Sequence, residues 1–403
     1  MKQYFKLVEE CYVISGEEAY ALYNVMTGNV FQLNCEEGYF CTLVEDNMQI
    51  DKACKESNLS LEAAEKLISN LESVGLGMQS DYPVTMDKLN VLPKWSEKTY
   101  FKYSIAVNKA TIDVSFECSN NCNFCNDASV TNKLRCISCN GKNSPIHLET
   151  AYKIIDILSA RECKELYLKN GDLLSDPDKL MKIVDYAKER GIENISLNIV
   201  KPITNSMFLK YVENKNISLI LQRTIDANTP IDTIINEARH YLGTNALFLL
   251  LTYIENSDKV KQVALTLAQQ FNLRAAIDFL VSKNMDAISD KYFEIESHIG
   301  TVNLISFSIR QLHNECFYRN CYFDSQGNIF PCAGLTKEKL GDIYSLPETF
   351  KSQNLSRFWD MALDKKEPCR NCSLRYACNN CESLNFDLYG NFAKNVLCSK
   401  RLS

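Results

Sequence analysis

The sequence predicts an α/β protein built on a parallel sheet, a partial (β/α)6 barrel. A winged-helix-like α+β module precedes the sheet and a cysteine-rich domain follows it. Three observations carry this reading. Apolar strand-length runs alternate with amphipathic helices between about residues 109 and 310. Short alternating strands followed by helices fill residues 1–95. Eleven of the eighteen cysteines fall in two tight groups, at 118–125 and 316–398.

In region 1–95, strands are expected at Tyr4–Leu7, Tyr12–Ser15, Tyr20–Asn24 and Val30–Leu33, with Thr27-Gly28 as a turn. Leu61, Ala64, Leu67, Ile68, Leu71 and Val74 keep a 3.6-residue period, bounded by Ser60 as N-cap and Gly75 as stop. Segment 80–108, with Pro83, Pro93 and Trp95, reads as a linker.

In region 109–310, strands are expected at 111–116, 165–169, 195–200, 217–222, 246–252 and 275–281. Helices are expected at about 149–160, 177–190, 205–213, 231–241 and 257–271. The second helix is well marked: Asp176 caps it, Pro177 opens it and Gly191 ends it. Near-continuous apolar strands imply a sheet covered by helices. Six repeats fall short of the eight that close a full barrel, so an open partial barrel is expected, with a doubly wound sheet as the alternative. Region 311–403 is loop-rich and has little apolar periodicity. Bound metal would supply the folding free energy that its core lacks.

Composition excludes several classes. A net charge of −6 provides no basic face for nucleic acid. The start MKQYFKLVEECYVISGEEAY has glutamates where an export signal needs an apolar run, so a cytoplasmic protein is expected. Apolar runs such as Ala246–Leu251 are far short of a membrane span. Reduced cytosolic thiols point to metal or cluster binding over a disulfide framework.

The segment CSNNCNFC places Cys118, Cys122 and Cys125 just after the first barrel strand, at the sheet edge where α/β folds bind ligands. A 4Fe–4S cube normally takes one thiolate per iron, so three thiolates leave one iron open to a small molecule. A zinc knuckle completed by a distant Cys or His is the other use of such a group. Cys118, Cys122, Phe124 and Cys125 resemble the CxxxCxΦC signature of radical S-adenosylmethionine (SAM) enzymes. The resemblance implies that the open iron chelates the methionine part of SAM and that Phe124 lies near the adenine. These enzymes usually carry Gly-Gly-Glu after the second strand, and Asn170-Gly171-Asp172 stands there after Lys169. By resemblance it contacts the SAM amino group, with Asp one methylene shorter than Glu. Asn198, Gln222 and Arg223, at later strand ends, are candidates for the ribose or carboxylate.

The C-terminal cysteines run Cys316, Cys321, Gly327-x4-Cys332, Cys369-x2-Cys372-x5-Cys378-x2-Cys381 and Cys398. The run resembles a SPASM domain, except that the Cys378–Cys381 spacing is one residue short. Gly341-Asp342-Ile343-Tyr344-Ser345 resembles the family's intervening segment. The resemblance implies twin 4Fe–4S clusters, hence three in the chain. Cys316, Cys321, Cys332 and Cys381 would hold the nearer auxiliary cluster, and Cys369, Cys372, Cys378 and Cys398 the farther. Two zinc ribbons are the alternative for these cysteines taken alone. Of the other seven, Cys11, Cys35, Cys41, Cys54 and Cys163 read as packing thiols. Cys136-Ile-Ser-Cys139 is open between a redox pair, a metal clip and a substrate-facing thiol.

The N-terminal segment from Tyr20 to Cys54 with its following helix resembles PqqD-like elements, which bind the leader of a ribosomally made precursor peptide. Strand addition at Tyr20–Asn24, beside helix 61–74, is the expected docking mode. Together these resemblances imply a radical SAM peptide maturase. It would abstract hydrogen from a precursor peptide, form a thioether or other cross-link, and draw electrons from a flavodoxin or ferredoxin. A leader-binding partner without SAM cleavage and a sulfatase-maturase-like enzyme are the alternatives.

Overall fold

The computed structural model describes residues 2–91, 106–120, 122, 124–125, 127–139, 141, 144–284, 299–345, 353–392 and 398. Pro93 and Trp95 of the expected linker lie outside the described residues. Contacts divide the chain into two compact units. The first holds residues 1–102, 297–318 and 359–380, and the second holds 103–296, 319–358 and 381–403. Segment 311–403, expected as one domain, is therefore shared between the two.

The first unit opens with β1 (Tyr4–Leu7), β2 (Cys11–Ser15), β3 (Tyr20–Asn24), β4 (Val30–Leu33), α1 (Cys35–Glu45), α2 (Ile50–Ser57), α3 (Leu61–Ser73) and β5 (Gly77–Ser80). Asn34 and Glu37 form a reciprocal capping box on α1, and Ser60 caps α3 through Ala63 N at 3.2 Å. β1 pairs antiparallel with β5, while β2, β3 and β4 form a meander in that order. β3 is consequently the central strand. Both its edges are taken, so the expected docking at Tyr20–Asn24 has no free ladder groups to use.

β3 is buried on both faces, and the residues before its terminal Asn24 are aromatic or aliphatic. Leu22 packs with Phe40, Ala64 and Ile68. Ala21, Tyr23 and Val25 pack on the other face with Val302, Phe307, Tyr376 and Ala377. Tyr23 donates a hydrogen bond to the Ser373 carbonyl at 2.8 Å, and Glu17 N donates to the Asn371 carbonyl at 2.8 Å. The cysteine-bearing stretch 369–380 thus folds onto this module.

The second unit is built on β6 (Lys109–Phe116), β7 (Val130–Thr131), β8 (Glu165–Gly171), β9 (Asn194–Ile199), β10 (Ile217–Ile225), β11 (Ala246–Tyr253) and β12 (Arg274–Ser282). Helices α4 (Leu148–Ser159), α5 (Pro177–Glu189), α6 (Ser206–Asn214), α7 (Ile231–Ala238) and α8 (Ser257–Phe271) separate the six parallel strands. Asp176 caps α5 at Lys179 N, 3.0 Å away. The order β6-β8-β9-β10-β11-β12 is sequential. A doubly wound sheet would require a reversal of strand order, which is absent here.

Both edges are extended. β7 pairs antiparallel with the end of β12. At the other edge β13 (Asn320–Phe323) pairs parallel with β6, followed by the antiparallel β14 (Asn328–Phe330) and β15 (Gly341–Asp342). Gly327 turns the β13–β14 hairpin at φ +85°. Among the described residues no helix is long and apolar enough to cross a membrane.

Candidate functional site

The site lies where β6, β8 and β10 end. β6 breaks register between Asp113 and Phe116, and Ser115 adopts a positive φ of 45°. The chain then enters the cysteine segment, where Cys125 N donates to the Cys122 carbonyl at 3.0 Å in a tight turn. Cys118, Cys122 and Cys125 are half-buried and line one cavity of about 170 Å³ with Phe124, Gly171 and Arg223. Phe124 is buried against Ile220, Leu249, Leu251 and Leu280.

Gly171, at φ +75°, faces Phe116 across the β6–β8 ladder. A Cβ there would lie 1.8 Å from the Phe116 carbonyl oxygen, so this wall admits only glycine. Asn170 also takes a positive φ, 72°. Asp172 has partners within the protein: it caps the next turn through Leu174 N at 3.1 Å and pairs with Lys201 at 2.8 Å. Lys201 in turn donates to Ser119 Oγ at 3.0 Å, tying the end of β9 to the cysteine segment. The hydrogen bond to Asp172 holds the Lys201 ammonium above its ordinary range.

The later strand-end residues mainly anchor protein. Asn198 Nδ2 donates to the Ile137 carbonyl at 2.9 Å and to Gln222 Oε1 at 3.1 Å. Gln222 also accepts from Cys139 N at 2.6 Å and donates to the Cys139 carbonyl at 3.0 Å. Arg223 lines the cavity but forks onto Glu237 and donates to the Ile199 carbonyl at 3.0 Å. Asn198 Oδ1 is buried and lacks a hydrogen-bond partner among the described residues.

These bonds fasten the Cys136–Cys139 loop over the sheet. Buried Lys169 donates to the Arg135 carbonyl and, at 2.9 Å, to the Ser138 carbonyl. Burial lowers its pKa, and nearby Asp113 opposes that shift. Asp278, inside the apolar β12, accepts from Lys133 N at 3.1 Å and Leu134 N at 2.9 Å. Burial pushes the Cys139 thiol, which also lines the cavity, up to about 12. Lys201, Glu237 and Asp278 were missed in the sequence. For Asp278 a signal existed, a lone carboxylate within AAIDFLV.

Of the C-terminal cysteines, Cys316, Cys369, Cys372 and Cys378 belong to the first unit, and Cys321, Cys332, Cys381 and Cys398 to the second. Cys332 and Cys381 come close enough that Cys332 raises the Cys381 pKa, second only to burial. Cys321 is buried in β13, where burial raises its thiol and the nearby Cys163 adds to the shift. Among the described residues no three His, Cys, Asp or Glu side chains gather tightly enough for a single metal ion. A four-iron cube spreads its thiolates wider than one ion does, and three thiols around one cavity suit that larger group.

No family model matches the chain, and no curated protein matches it. Among solved structures, native anSMEcpe with bound AdoMet is similar over 73% of this chain and 95% of its own, at 12% identity and a TM-score of 0.52. The chain shares the fold of this AdoMet-bound protein. The same protein with AdoMet and Cp18Cys peptide is similar too, at 11% identity and a TM-score of 0.52. It too is covered over 95% of its length, by 73% of this chain. Streptococcus suis SuiB bound to S-adenosylmethionine gives 14% identity over 94% of this chain and 96% of its own, at a TM-score of 0.42.

Proposed function

We propose that the protein is a radical SAM enzyme that modifies a ribosomally made precursor peptide. One observation carries the reading. The three cysteines of a CxxxCxΦC motif and the glycine ending the second strand line one cavity, at the strand ends of a fold shared with an AdoMet-bound enzyme. When bound there, a 4Fe–4S cluster supplies the electron that cleaves SAM to methionine and a 5′-deoxyadenosyl radical. The protein's part is to hold the reactants and exclude water. Cys118, Cys122 and Cys125 would hold the cluster. Gly171 presents bare backbone to the methionine end, and Phe124 forms an apolar wall. Asp172 would reach the SAM amino group only by exchanging its Lys201 partner. The C-terminal cysteines would hold two auxiliary clusters, and a flavodoxin or ferredoxin would supply electrons.

For the leader, β4 replaces β3 as the docking strand. Asn24 N bonds to the Asn29 carbonyl, so alternation makes Leu22–Phe31 and Tyr20–Leu33 the bonded pairs. Val30 and Gln32 then direct their ladder groups outward, at an edge unpaired by any other strand among the described residues. Phe31 is 41% exposed beside that edge. A leader strand adding there would bind with micromolar affinity, about −8 kcal/mol.

The test is anaerobic incubation of the reconstituted protein with SAM, reductant and a candidate precursor peptide with its leader, read by mass spectrometry. A leader-dependent mass change is expected, and Gln32→Pro should weaken leader binding about tenfold with the fold intact. Modification at an equal rate with the leader removed would overturn the precursor reading.

A further inference from the structure

The turn carrying Cys136 is held from three strands. Thr111 of β6 donates to the Cys136 carbonyl at 3.3 Å, Lys169 of β8 grips the carbonyls on either side of it, and Asp278 of β12 receives Lys133 N and Leu134 N. Two more cysteine segments meet this turn. Cys381 Sγ lies 3.5 Å from the Lys133 carbonyl oxygen. Arg135 pairs with Asp387 of the helix Glu382–Tyr389 that follows Cys381. Gly334, two residues past Cys332, is so close that a Cβ on it would sit 2.5 Å from Ser383 Oγ and 3.9 Å from Arg135 Cδ. Lys133, Arg135 and Gly334 thus bring the segments that carry Cys136, Cys381 and Cys332 to one place.

Cys321 faces the other way. Its neighbour Tyr322 donates to Asp113 Oδ2 at 3.0 Å and lies 5.8 Å from the Lys169 ammonium. Tyr322 pairs with Thr111, the residue that holds the Cys136 turn. Successive strand residues point to opposite faces, so Cys321, opposite Ala110, is directed away from Cys136 and Cys332.

We propose that Cys136, together with Cys332 and Cys381, supplies a thiolate to the nearer auxiliary iron–sulfur cluster, in the place that the SPASM resemblance gives to Cys321. The assignment rests on the radical SAM reading, with its auxiliary clusters, given above. The chemistry suits it: cysteines bind iron as thiolates, and the metal displaces their protons. It also gives half of the Cys136-Ile-Ser-Cys139 pair a use, while Cys139 stays at the SAM-side cavity.

The test uses the full chain, reconstituted anaerobically. Wild type should carry about 12 iron per chain. Cys136→Ala and Cys332→Ala should each fall to about 8, with loss or change of the same reduced-cluster electron paramagnetic signal, while Cys321→Ala keeps wild-type iron and signal. Alkylation of wild-type protein gives a readout that needs no variant. Cys136 should be protected in the loaded protein and become reactive after iron chelation. Wild-type iron and signal in Cys136→Ala, or equal alkylation of Cys136 with and without clusters, would overturn the assignment. Wild type that takes up neither iron nor sulfide would instead overturn the radical SAM reading, and the assignment with it.

Discussion

Gly171→Ala tests whether the end of β8 is a wall of the SAM pocket. The added methyl meets the Phe116 carbonyl oxygen at 1.8 Å and its carbon and nitrogen at 2.6 Å. The two backbones would have to part by about 1.2 Å to bring even the oxygen to a 3.0 Å contact. The backbone at φ +75° adds about 1–2 kcal/mol for any L side chain, and overpacking about 1–3 kcal/mol more. A loss of about 2–5 kcal/mol in unfolding free energy is expected. A displacement of that size at a cofactor wall should also cut 5′-deoxyadenosine formation about a hundredfold. Gly191→Ala is the control, since Gly191 also has positive φ, +84°, but nothing lies within 4 Å of its added Cβ. It should lose only about 1–2 kcal/mol and leave SAM chemistry unchanged. Urea melts and anaerobic turnover measure both. Wild-type stability and turnover in Gly171→Ala would refute the reasoning.

Two further outcomes are expected. Arg223→Ala strips the partner from Glu237, a pair with side chains only 10% and 8% exposed, and should cost about 3–5 kcal/mol in a urea melt. Lost SAM affinity at unchanged stability would instead make Arg223 a ligand contact. Burial holds the Cys11, Cys41 and Cys163 thiols up to about 12, from 9.0. Unfolding releases their protons above about pH 9, so the folded chain binds more protons between about pH 9 and 12. Stability of the cluster-free, reduced protein should fall as pH rises through that window, by about 1.4 kcal/mol per unit for each thiol, and Cys41→Ala should flatten the slope. Melts unchanged from pH 7 to 10.5 would contradict this.

What was legible in the sequence followed from local chemistry. The α5 boundaries were written in Asp176, Pro177 and Gly191, and the six strands in their apolar runs. The runs stopped short of the true ends where polar residues finish a strand, as at Asn170-Gly171 and Arg223–Ile225. Pairing was less legible because it joins distant segments. Nothing local says that β13 lies beside β6, or that stretch 369–380 folds onto the N-terminal meander. One clue was available for the docking strand: Tyr20–Tyr23 carries aromatic or aliphatic residues at both parities, the mark of a strand buried on both faces. Asn198, Gln222 and Arg223 stood out as polar strand ends, but their partners, the Ile137 and Cys139 backbone and Glu237, come from elsewhere in the chain. The SPASM resemblance groups Cys321 with Cys332, and the proposal that Cys136 takes its place rests on the pleat of β13, which a resemblance of cysteine order does not carry.

The central claim is that this chain cleaves SAM reductively at the Cys118–Cys122–Cys125 site. Anaerobic reconstitution with iron and sulfide, followed by dithionite and SAM, should yield 5′-deoxyadenosine and methionine in equal amounts. Joint replacement of the three cysteines by Ala should abolish that yield while leaving about 8 iron bound. Fully loaded wild-type protein that makes no 5′-deoxyadenosine, even with its peptide present, would contradict the account and leave a leader-binding protein without SAM chemistry.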